Sequence, residues 1–438
     1  MRPIRTLPPV VAVATILTLF VGSAAVHAAP PPSGTTQLVD VSATPGVAST
    51  DNERSDFQPS VSADGRYVVF SSRSQDIVSP RPAERDDFEQ IYLRDTVSNT
   101  TRVISAAGGV VGDHQSLHPK ISDDGSVVMY LTAATNIVPG VLPTRPQVVA
   151  WSLSTGLTRL VSAGWESPTQ PVNDRITSFD LSGNGSTIVY ATAATDVLPG
   201  DPYVVPRTRV YKVDAAGETT HVAYDPVLSA DKPSVSDDGR FVAFVSRDAH
   251  TAIGTAGVQQ VYVRDTALST TDLISADSAL TRSSDADAGE PTISGDGRSV
   301  AFSGSATNLV PEFAHGSYIY VRDRGAGRIA IESRNSAGGL VQATNPTLSS
   351  NGVAIAYSSG GQVHVRSRAT GATGILSVSR SVDPGNGPSF SPMVSADGRY
   401  VVWSTSATNL TPDRYPRSVV FGSSGHTMIR NIGTSYAG

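Results

Sequence analysis

Hydrophobic residues in this chain are concentrated in short runs of four or five, separated by Gly, Ser, Asp and Pro. Seven of these runs follow the same kind of polar tetrapeptide: YVVF at Tyr67, VVMY at Val127, TIVY at Thr187, FVAF at Phe241, SVAF at Ser299, VAIAY at Val353 and YVVW at Tyr400. None of them continues into the 3.6-residue period of an amphipathic helix. Short β-branched and aromatic runs bounded by turn residues predict strands that are buried on both faces.

The tetrapeptide before each run has the pattern Ser-x-Asp/Asn-Gly. Its seven copies lie 46 to 60 residues apart and begin at Ser62, Ser122, Ser182, Ser236, Ser294, Ser349 and Ser395. Six copies have Pro three residues before the Ser, and the third has Phe179 there. Asp or Asn followed by Gly supplies the positive φ that a tight hairpin needs. The motif therefore predicts a turn between the first and second strands of each repeat, rather than an acidic active-site loop.

Two further strands complete each repeat. The third begins at Gln90, Val148, Arg209, Gln260, Tyr318, Gln362 and Ser418, and the fourth at Thr101, Thr158, Thr220, Thr271, Arg328, Thr373 and Thr427. Four short strands repeated in this way predict an all-β fold, a β-propeller of four-stranded antiparallel blades. Seven blades are expected, with six or eight as alternatives.

One strand is left over by this count. TQLVDVS at Thr36 resembles a fourth strand but precedes the first repeat. It could pair with the last blade and close the ring, in which case the C-terminal strand at Thr427 is displaced or pairs outside it. Closure matters because an open ring would expose a strand edge.

The N-terminus has the features of an export signal. Arg2 and Arg5 precede an apolar run that ends in small residues, which predicts a signal peptide over 1–28. A linker at 29–35, a propeller at 36–433 and a tail at 434–438 would follow. The chain has no Cys, which excludes cysteine lipidation and disulfides. No later segment is apolar over 18 residues, so a soluble monomer, periplasmic or secreted, is expected.

Charge excludes one class of partner. Only 16% of residues are charged and the net charge is −6. Lys occurs only at Lys120, Lys212 and Lys232, so no dense basic surface for a phosphate backbone is predicted. We expect no nucleic acid partner.

The pattern P-x-[VIL]-S-x-[DN]-G followed by an aromatic-ended strand resembles the PD40, or WD40-like, repeat of TolB-like propellers. The resemblance covers essentially the whole chain after the signal and implies an envelope protein that binds other proteins. TolB itself adds an α/β domain before its blades and works with a peptidoglycan-associated lipoprotein. Only a few residues separate the signal from the first strand here, so that domain is expected to be missing.

The candidate binding site is a ring of polar residues, one from each repeat. The fold places the residue before the repeat Pro at the channel mouth: Gln58, His118, Ser178, Lys232, Glu290, Asn345 and Ser391. These side chains differ from one another, which suits a polar ligand or a peptide end. The alternative is a channel rim filled with water.

No cofactor is expected, and calcium is the alternative. A second motif, AATN at Ala133 and its relatives, carries Asn136, Asp196, Asn308 and Asn409, whose oxygens could bind calcium or cap a turn. His114 and His118 have the H-x3-H spacing of a zinc pair but lie in an extended loop.

The sequence leaves open the role of three further carboxylates. Asp95, Asp265 and Asp323 end the third strands, where a turn role competes with metal ligation.

These features favour an exported, non-enzymatic scaffold that binds a protein, a peptide or a glycan through its loop-rich face. No catalytic residue can be assigned from the sequence. The alternative is a hydrolase or lyase at the channel mouth, for which Glu290, His118 and Lys232 are the only plausible acid–base set. A purely structural envelope protein is a third hypothesis.

Overall fold

A computed structural model describes residues 32–44, 46–49, 58–79, 88–200, 207–222, 229–254, 256–312, 315–413, 415 and 425–437. Every regular element in these ranges is a β-strand. The predicted signal peptide at 1–28 lies outside them. The strands form seven four-stranded antiparallel sheets, so the expectation of a seven-bladed propeller is confirmed.

The strands are numbered in chain order. Strand β1 (Thr36–Leu38) comes first and belongs to the last blade. Blade 1 contains β2 (Ser60–Val61), β3 (Tyr67–Ser72), β4 (Gln90–Asp95) and β5 (Thr100–Val103). A small hairpin then joins β6 (Ala106–Ala107) to β7 (Val110–Val111). Blade 2 contains β8 (Ser116–Ile121), β9 (Val127–Thr132), β10 (Gln147–Ser152) and β11 (Thr158–Leu160). Blade 3 contains β12 (Ile176–Leu181), β13 (Ile188–Thr192), β14 (Arg209–Val213) and β15 (Thr219–His221).

The remaining blades repeat the order. Blade 4 contains β16 (Asp231–Val235), β17 (Phe241–Ser246), β18 (Gln260–Asp265) and β19 (Thr270–Leu273). Blade 5 contains β20 (Ala288–Ile293), β21 (Ser299–Gly304), β22 (Tyr318–Asp323) and β23 (Arg328–Ile331). Blade 6 contains β24 (Thr344–Leu348), β25 (Ala354–Ser359), β26 (Gln362–Ser367) and β27 (Thr373–Ile375). Blade 7 contains β28 (Ser389–Val394), β29 (Tyr400–Thr405), β30 (His426–Asn431) and β1.

Blade 7 is built from both ends of the chain. Strand β1 pairs antiparallel with β30, with Thr36 opposite Arg430 and Leu38 opposite Met428. The sequence left open which terminal strand closes the ring, and the pairing shows that the N-terminal strand does so. The assignment of the C-terminal strand as a fourth strand is wrong: β30 pairs directly with β29 and is the third strand of the blade. The third strand predicted at Ser418 lies outside the described residues.

The core lies between neighbouring blades rather than within each sheet. Strands two and three of each blade are almost fully buried, as the apolar runs predict. In blade 5, Phe302 and Tyr320 pack in one cluster with Val261 and Val263 of blade 4. Each blade therefore completes its neighbour's core, and only a closed ring leaves no blade face exposed.

A repeated pair of polar residues joins strands three and four inside this core. The hydroxyls of Ser105, Ser162, Ser275 and Ser377 each donate to the side-chain oxygen of a Gln at the start of the third strand, over 2.5 to 2.7 Å. In blade 7 the two positions hold Asp40 and His426, and His426 Nδ1 lies 2.9 Å from Asp40 Oδ2. Both are buried. The blade that joins the chain ends therefore has an ionisable pair where four others have Ser and Gln.

The Ser-x-Asp/Asn-Gly segments form the predicted turns. Ser62 Oγ donates to Asp64 Oδ1 at 2.7 Å, and the same carboxylate oxygen accepts the Arg66 N–H. Gly65 has φ of 71°. A Cβ added there would lie 2.6 Å from the ring of Tyr400 in blade 7. The glycine is thus required both by the turn and by contact with the neighbouring blade.

Candidate functional site

The seven predicted ring residues surround one cavity at the mouth of the central channel. The cavity has a volume of about 460 Å³, and its lining includes all of them: Gln58, His118, Ser178, Lys232, Glu290, Asn345 and Ser391. The fold contributes one of them at the first strand of each blade. Side chains that are 46 to 60 residues apart along the chain are thereby brought around a single opening.

Five of the seven have a left-handed backbone conformation, which is uncommon for residues other than glycine. His118, Lys232, Glu290, Asn345 and Ser391 have φ between 49° and 53°. In each case the register of the first strand shifts at this residue, which marks a β-bulge. Bulges re-aim side chains and are common next to functional sites. Strained residues that are kept at a cleft point to a role of the side chain.

Asp231 is a mouth residue that sequence reasoning missed. Its Oδ1 accepts hydrogen bonds from Ser178 Oγ at 2.6 Å and Thr177 Oγ1 at 3.0 Å, both in blade 3, and from the Lys232 N–H at 2.7 Å. This carboxylate ties blade 3 to blade 4 and leaves the exposed Lys232 side chain free to face the cavity. Its position two residues before the repeat Pro was the available signal.

Deeper in the channel, an ion pair crosses from blade 2 to blade 3. Lys120 Nζ lies 2.8 Å from Asp180 Oδ1, and Asp180 Oδ2 accepts the Val235 N–H at 3.0 Å. Two of the three lysines in the chain, Lys120 and Lys232, thus line the cavity. Because Asp180 neutralises Lys120, Lys232 is the ammonium that remains to meet a ligand.

The opposite end of the channel is bordered by a belt of backbone hydrogen bonds that runs from blade 1 to blade 7. The variable residue of each Ser-x-Asp/Asn-Gly turn takes part. Five bonds of 2.8 to 3.0 Å run from a backbone N–H in one blade to the equivalent backbone carbonyl in the next: Ala63 to Asp123, Asp123 to Gly183, Asp237 to Gly295, Gly295 to Ser350, and Ser350 to Ala396. Between blades 3 and 4 the Asn184 N–H donates to Asp237 at 3.2 Å. The belt fixes the spacing of the blades at this end.

Two carboxylates face each other within the belt. A Cβ placed on Gly183 would lie 2.3 Å from Asp123 Oδ2 and 2.6 Å from Asp237 Oδ1, so both carboxylates border this glycine. Burial, followed by the charge of Asp237, raises the pKa of Asp123 to about 7. Burial also raises the pKa of Asp237, partly offset by a hydrogen bond from Ser350. Sequence reasoning missed this pair, because it treated the variable turn position as a spacer.

The residues considered for calcium hold loops together. Asn308 Oδ1 accepts the Asp285 N–H, while the Asn308 amide donates to the Ser283 carbonyl. Asn136, Asp196 and Asn409 accept the equivalent N–H groups of Asp113, Asn173 and Asn386. These oxygens therefore link the loop after the second strand to the segment that enters the first strand, 23 residues earlier, rather than capping their own turn.

The two histidines with the zinc spacing lie in different surroundings, and the strand-end aspartates accept hydrogen bonds in their own turns. His114 is exposed and stacks on Phe88 with ring centroids 5.4 Å apart, whereas His118 lines the channel mouth. Asp95 accepts the Val97 and Ser98 N–H groups and pairs with Arg66 at 3.0 Å. Asp265 and Asp323 do the same in their own turns with Arg240 and Arg298. Within the described ranges, no three His, Asp or Glu side chains form a group that could hold a metal ion.

The acid–base set considered for an enzyme is dispersed around the mouth. Glu290, His118 and Lys232 come from blades 5, 2 and 4. Glu290 Oε2 accepts the Asn345 N–H at 2.9 Å, which links blade 5 to blade 6. All three groups can meet a ligand in the cavity, but the carboxylate already has a structural hydrogen bond.

Comparisons with known proteins show the fold. No protein-family model and no curated protein matches the sequence. Solved structures that are similar include TolB from Acinetobacter baumannii, with 16% identity over 67% of this chain and a TM-score of 0.41. This chain spans only 59% of that protein's length. A putative TolB from Agrobacterium tumefaciens has 16% identity over 63% of this chain and 79% of its own, with a TM-score of 0.38.

A third similar structure is the β-propeller domain of the Trilobed protease from Pyrococcus furiosus. It has 10% identity over 80% of this chain and 91% of its own, with a TM-score of 0.50. That domain is described as having an open velcro topology. In the present chain, β1 pairs with β30 in the last blade. The likeness supports the propeller fold and leaves the function to be argued from the site.

A search of the described residues for a membrane span found no helix with the length and hydropathy to cross a bilayer.

Proposed function

We propose that this protein is an exported, non-enzymatic scaffold that binds a protein or peptide partner at the channel mouth, at the cell envelope or outside it. One observation carries the proposal: five non-glycine residues at the mouth keep left-handed backbone conformations around one cavity of about 460 Å³. Glycine would meet the demands of the bulge at lower cost. The side chains are therefore retained for what they contact.

The side chains of the ring differ in chemistry, so they suit a ligand with several different polar groups better than one that presents the same group repeatedly. His118, Lys232, Glu290 and Asn345 offer a base, a cation, an anion and an amide on four different blades. A polypeptide segment presents such mixed groups, as does a branched glycan. The cavity lies within the size range of small-molecule and peptide sites.

The test begins with site-specific photo-crosslinking in envelope extract from the source organism. The photoreactive residue replaces Ser178 at the mouth, or Leu268 in the exposed hairpin turn of blade 4 at the opposite end. A partner crosslinked only from position 178 is purified, and its Kd is measured. We expect Lys232→Glu to weaken binding at least about ten-fold, because a cation becomes an anion beside Asp231.

Leu268→Lys is the matched control and should leave the Kd unchanged. If Leu268→Lys weakens binding and Lys232→Glu does not, the proposed face is wrong. If the partner is instead chemically altered, and Glu290→Gln abolishes the change without weakening binding, the enzyme hypothesis replaces the scaffold.

A further inference from the structure

A second cavity opens between blades 2 and 3 and joins the channel mouth. It has a volume of about 260 Å³ and is lined by Gln115, Leu117, His118, Leu131, Pro146, Arg175, Ile176 and Thr177. His118, Leu131 and Thr177 line both cavities. This side cavity is therefore a branch of the mouth cavity rather than a separate pocket.

Two bulges border the opening. The register of β8 shifts between Leu117 and Lys120, and that of β12 shifts between Ile176 and Ser178. Both irregularities occur where the first strands of blades 2 and 3 enter the channel. They move the two strands off their regular pairing at the place where the side cavity lies.

Most of the side cavity is apolar and large enough for one residue. Leu117, Leu131, Pro146 and Ile176 provide aliphatic surface. The volume of about 260 Å³ is below the range of about 300–1,000 Å³ found for drug-sized ligands. A single bulky aliphatic or aromatic side chain fits this space, and burying it there removes its apolar surface from water.

The edge of the side cavity is cationic. Arg175 is exposed, and its guanidinium has no hydrogen bond or ion pair within the described ranges. The neighbouring carboxylate of Asp174 is directed to Arg145, at 3.2 Å, and to the Arg175 backbone N–H. A guanidinium that is not neutralised at the rim of an apolar cavity is suited to bind a carboxylate with two parallel hydrogen bonds.

We propose that the side cavity binds the C-terminal residue of a polypeptide, with a bulky apolar side chain between blades 2 and 3 and its terminal carboxylate paired with Arg175. An apolar group and a carboxylate that share one small cavity lie close together in one ligand, and a C-terminal residue meets this condition. The inference rests on the proposed function, because the preceding residues of the chain would occupy the mouth cavity. It specifies which part of the partner is recognised.

The same chemistry occurs in free carboxylic acids, so the probes must separate the two sources. Four synthetic ligands are compared by isothermal titration or ligand-observed NMR: the hexapeptide SGSGSL, its C-terminal amide, SGSGSA, and hexanoate. We expect SGSGSL to bind at least about ten-fold more tightly than its amide and than SGSGSA. Hexanoate should bind more weakly still, because it cannot reach the mouth cavity.

Two pairs of variants test the location. Leu117→Trp fills the side cavity and should lower the affinity for SGSGSL at least about ten-fold, whereas Leu117→Ala keeps it open and should lower it less. Arg175→Gln should remove the preference for the free acid over the amide. Arg282→Gln changes an exposed arginine that lines neither cavity and pairs with Asp277, and it should preserve that preference. Thermal unfolding of each variant confirms that it is folded.

The outcomes separate this inference from the proposed function. Equal affinity for SGSGSL and its amide, or unchanged binding in Leu117→Trp, would overturn the C-terminal subsite. If the crosslinked partner still depends on Lys232 in that case, the scaffold function stands without it. Hexanoate binding as tightly as SGSGSL would assign the side cavity to a small free acid instead.

Discussion

Substitutions of the residues before the repeat prolines best separate effects on the proposed binding from effects on folding. Lys232 has φ of 49° and is exposed, and its backbone N–H donates to Asp231 and Ser178. The backbone hydrogen bonds would survive any substitution other than Pro. The side chain itself therefore contributes strain to folding, and under the proposed function it contacts the ligand.

Lys232→Gly is expected to stabilise the protein by about 0.5–1 kcal/mol, because Gly adopts positive φ freely and only part of that gain is lost to a more flexible unfolded chain. The same change should weaken partner binding. Urea unfolding at equilibrium measures the first effect. Asn345→Gly is the control: Asn tolerates the left-handed region, so its replacement should change stability by much less. A loss of stability in Lys232→Gly would show that the side chain supports the fold.

The Asp123 carboxyl borders Gly183 opposite Asp237. It makes the native stability fall as pH rises, whereas a carboxyl with a lowered pKa makes it rise. Its pKa is raised to about 7 by burial and by the charges of Asp237, Asp124, Asp397 and Asp180. The native state therefore holds this proton more tightly than the unfolded chain does. As pH rises from about 4 to 7, the carboxyl is increasingly ionised in the unfolded chain, and native stability falls.

Asp123→Asn should be more stable than the original protein at pH 8, by about 1–3 kcal/mol, and this gain should vanish near pH 4. Unfolding curves across this range provide the measurement. Asp124→Asn is the adjacent control: burial opposes its ionisation, but hydrogen bonds from Ser122 and Ser126 outweigh this and lower its pKa. It should show no gain at pH 8. A pH-independent difference for Asp123→Asn would contradict the carboxyl assignment.

At the scale of elements, the first hairpin of each blade is also a contact between blades. Gly65 of blade 1 lies against Tyr400 of blade 7, and Gly125 of blade 2 lies against Tyr67 of blade 1. Gly297 of blade 5 lies against Phe241 of blade 4 in the same way. The repeat glycine thus serves the turn and the neighbouring sheet together.

Gly65→Ala should destabilise by about 2–4 kcal/mol, because a methyl group at positive φ would also overlap the Tyr400 ring. Gly140→Ala is the matched control, since Gly140 has φ of 76° and open space around its added Cβ. It should cost only about 1 kcal/mol. Thermal unfolding of both variants gives the comparison. Equal losses would mean that the turn alone requires the glycine.

At the scale of the whole molecule, the blade that closes the ring has an ionisable pair where four other blades have Ser and Gln. Burial alone would lower the pKa of His426, but the charge and hydrogen bond of Asp40 outweigh it and raise the pKa. Ser49 Oγ also donates to Asp40, at 2.9 Å, so the carboxylate holds three segments of the closing blade together. A raised His pKa stabilises the native state below about pH 6.5, and this contribution is lost as pH rises through the native pKa.

Asp40→Ser should cost about 3–5 kcal/mol at pH 6, because it leaves the buried His426 without its counter-charge. The double variant Asp40→Ser/His426→Gln recreates the Ser–Gln pair of the other blades and should recover most of that loss. Unfolding at pH 6 and pH 8.5 tests both statements, with a smaller cost of Asp40→Ser expected at the higher pH. Failure of the double variant to recover stability would show that the two pairs are not equivalent.

Much of the fold could be predicted from the sequence, because its signals are local. The turn at Ser62 and the strand at Tyr67 are specified within ten residues by positive φ, side-chain capping and apolar runs. Seven copies in phase then predicted seven blades. The position of β30 in its blade could not be predicted from such local signals, because its sequence fits either the third or the fourth strand. Only its pairing with β29 shows that it is the third strand.

The sequence by itself determined the all-β architecture, the seven hairpin turns and the polar residue that each blade presents at the mouth, and it left open which terminal strand closes the ring. Tertiary structure alone decided that Asp123 meets Asp237 across Gly183, that the mouth residues have strained backbones, and that a side cavity with Arg175 opens between blades 2 and 3. Turn chemistry and strand periodicity operate within a few residues. Contacts across the channel join residues a blade or more apart, whose distance is fixed only when the ring has closed.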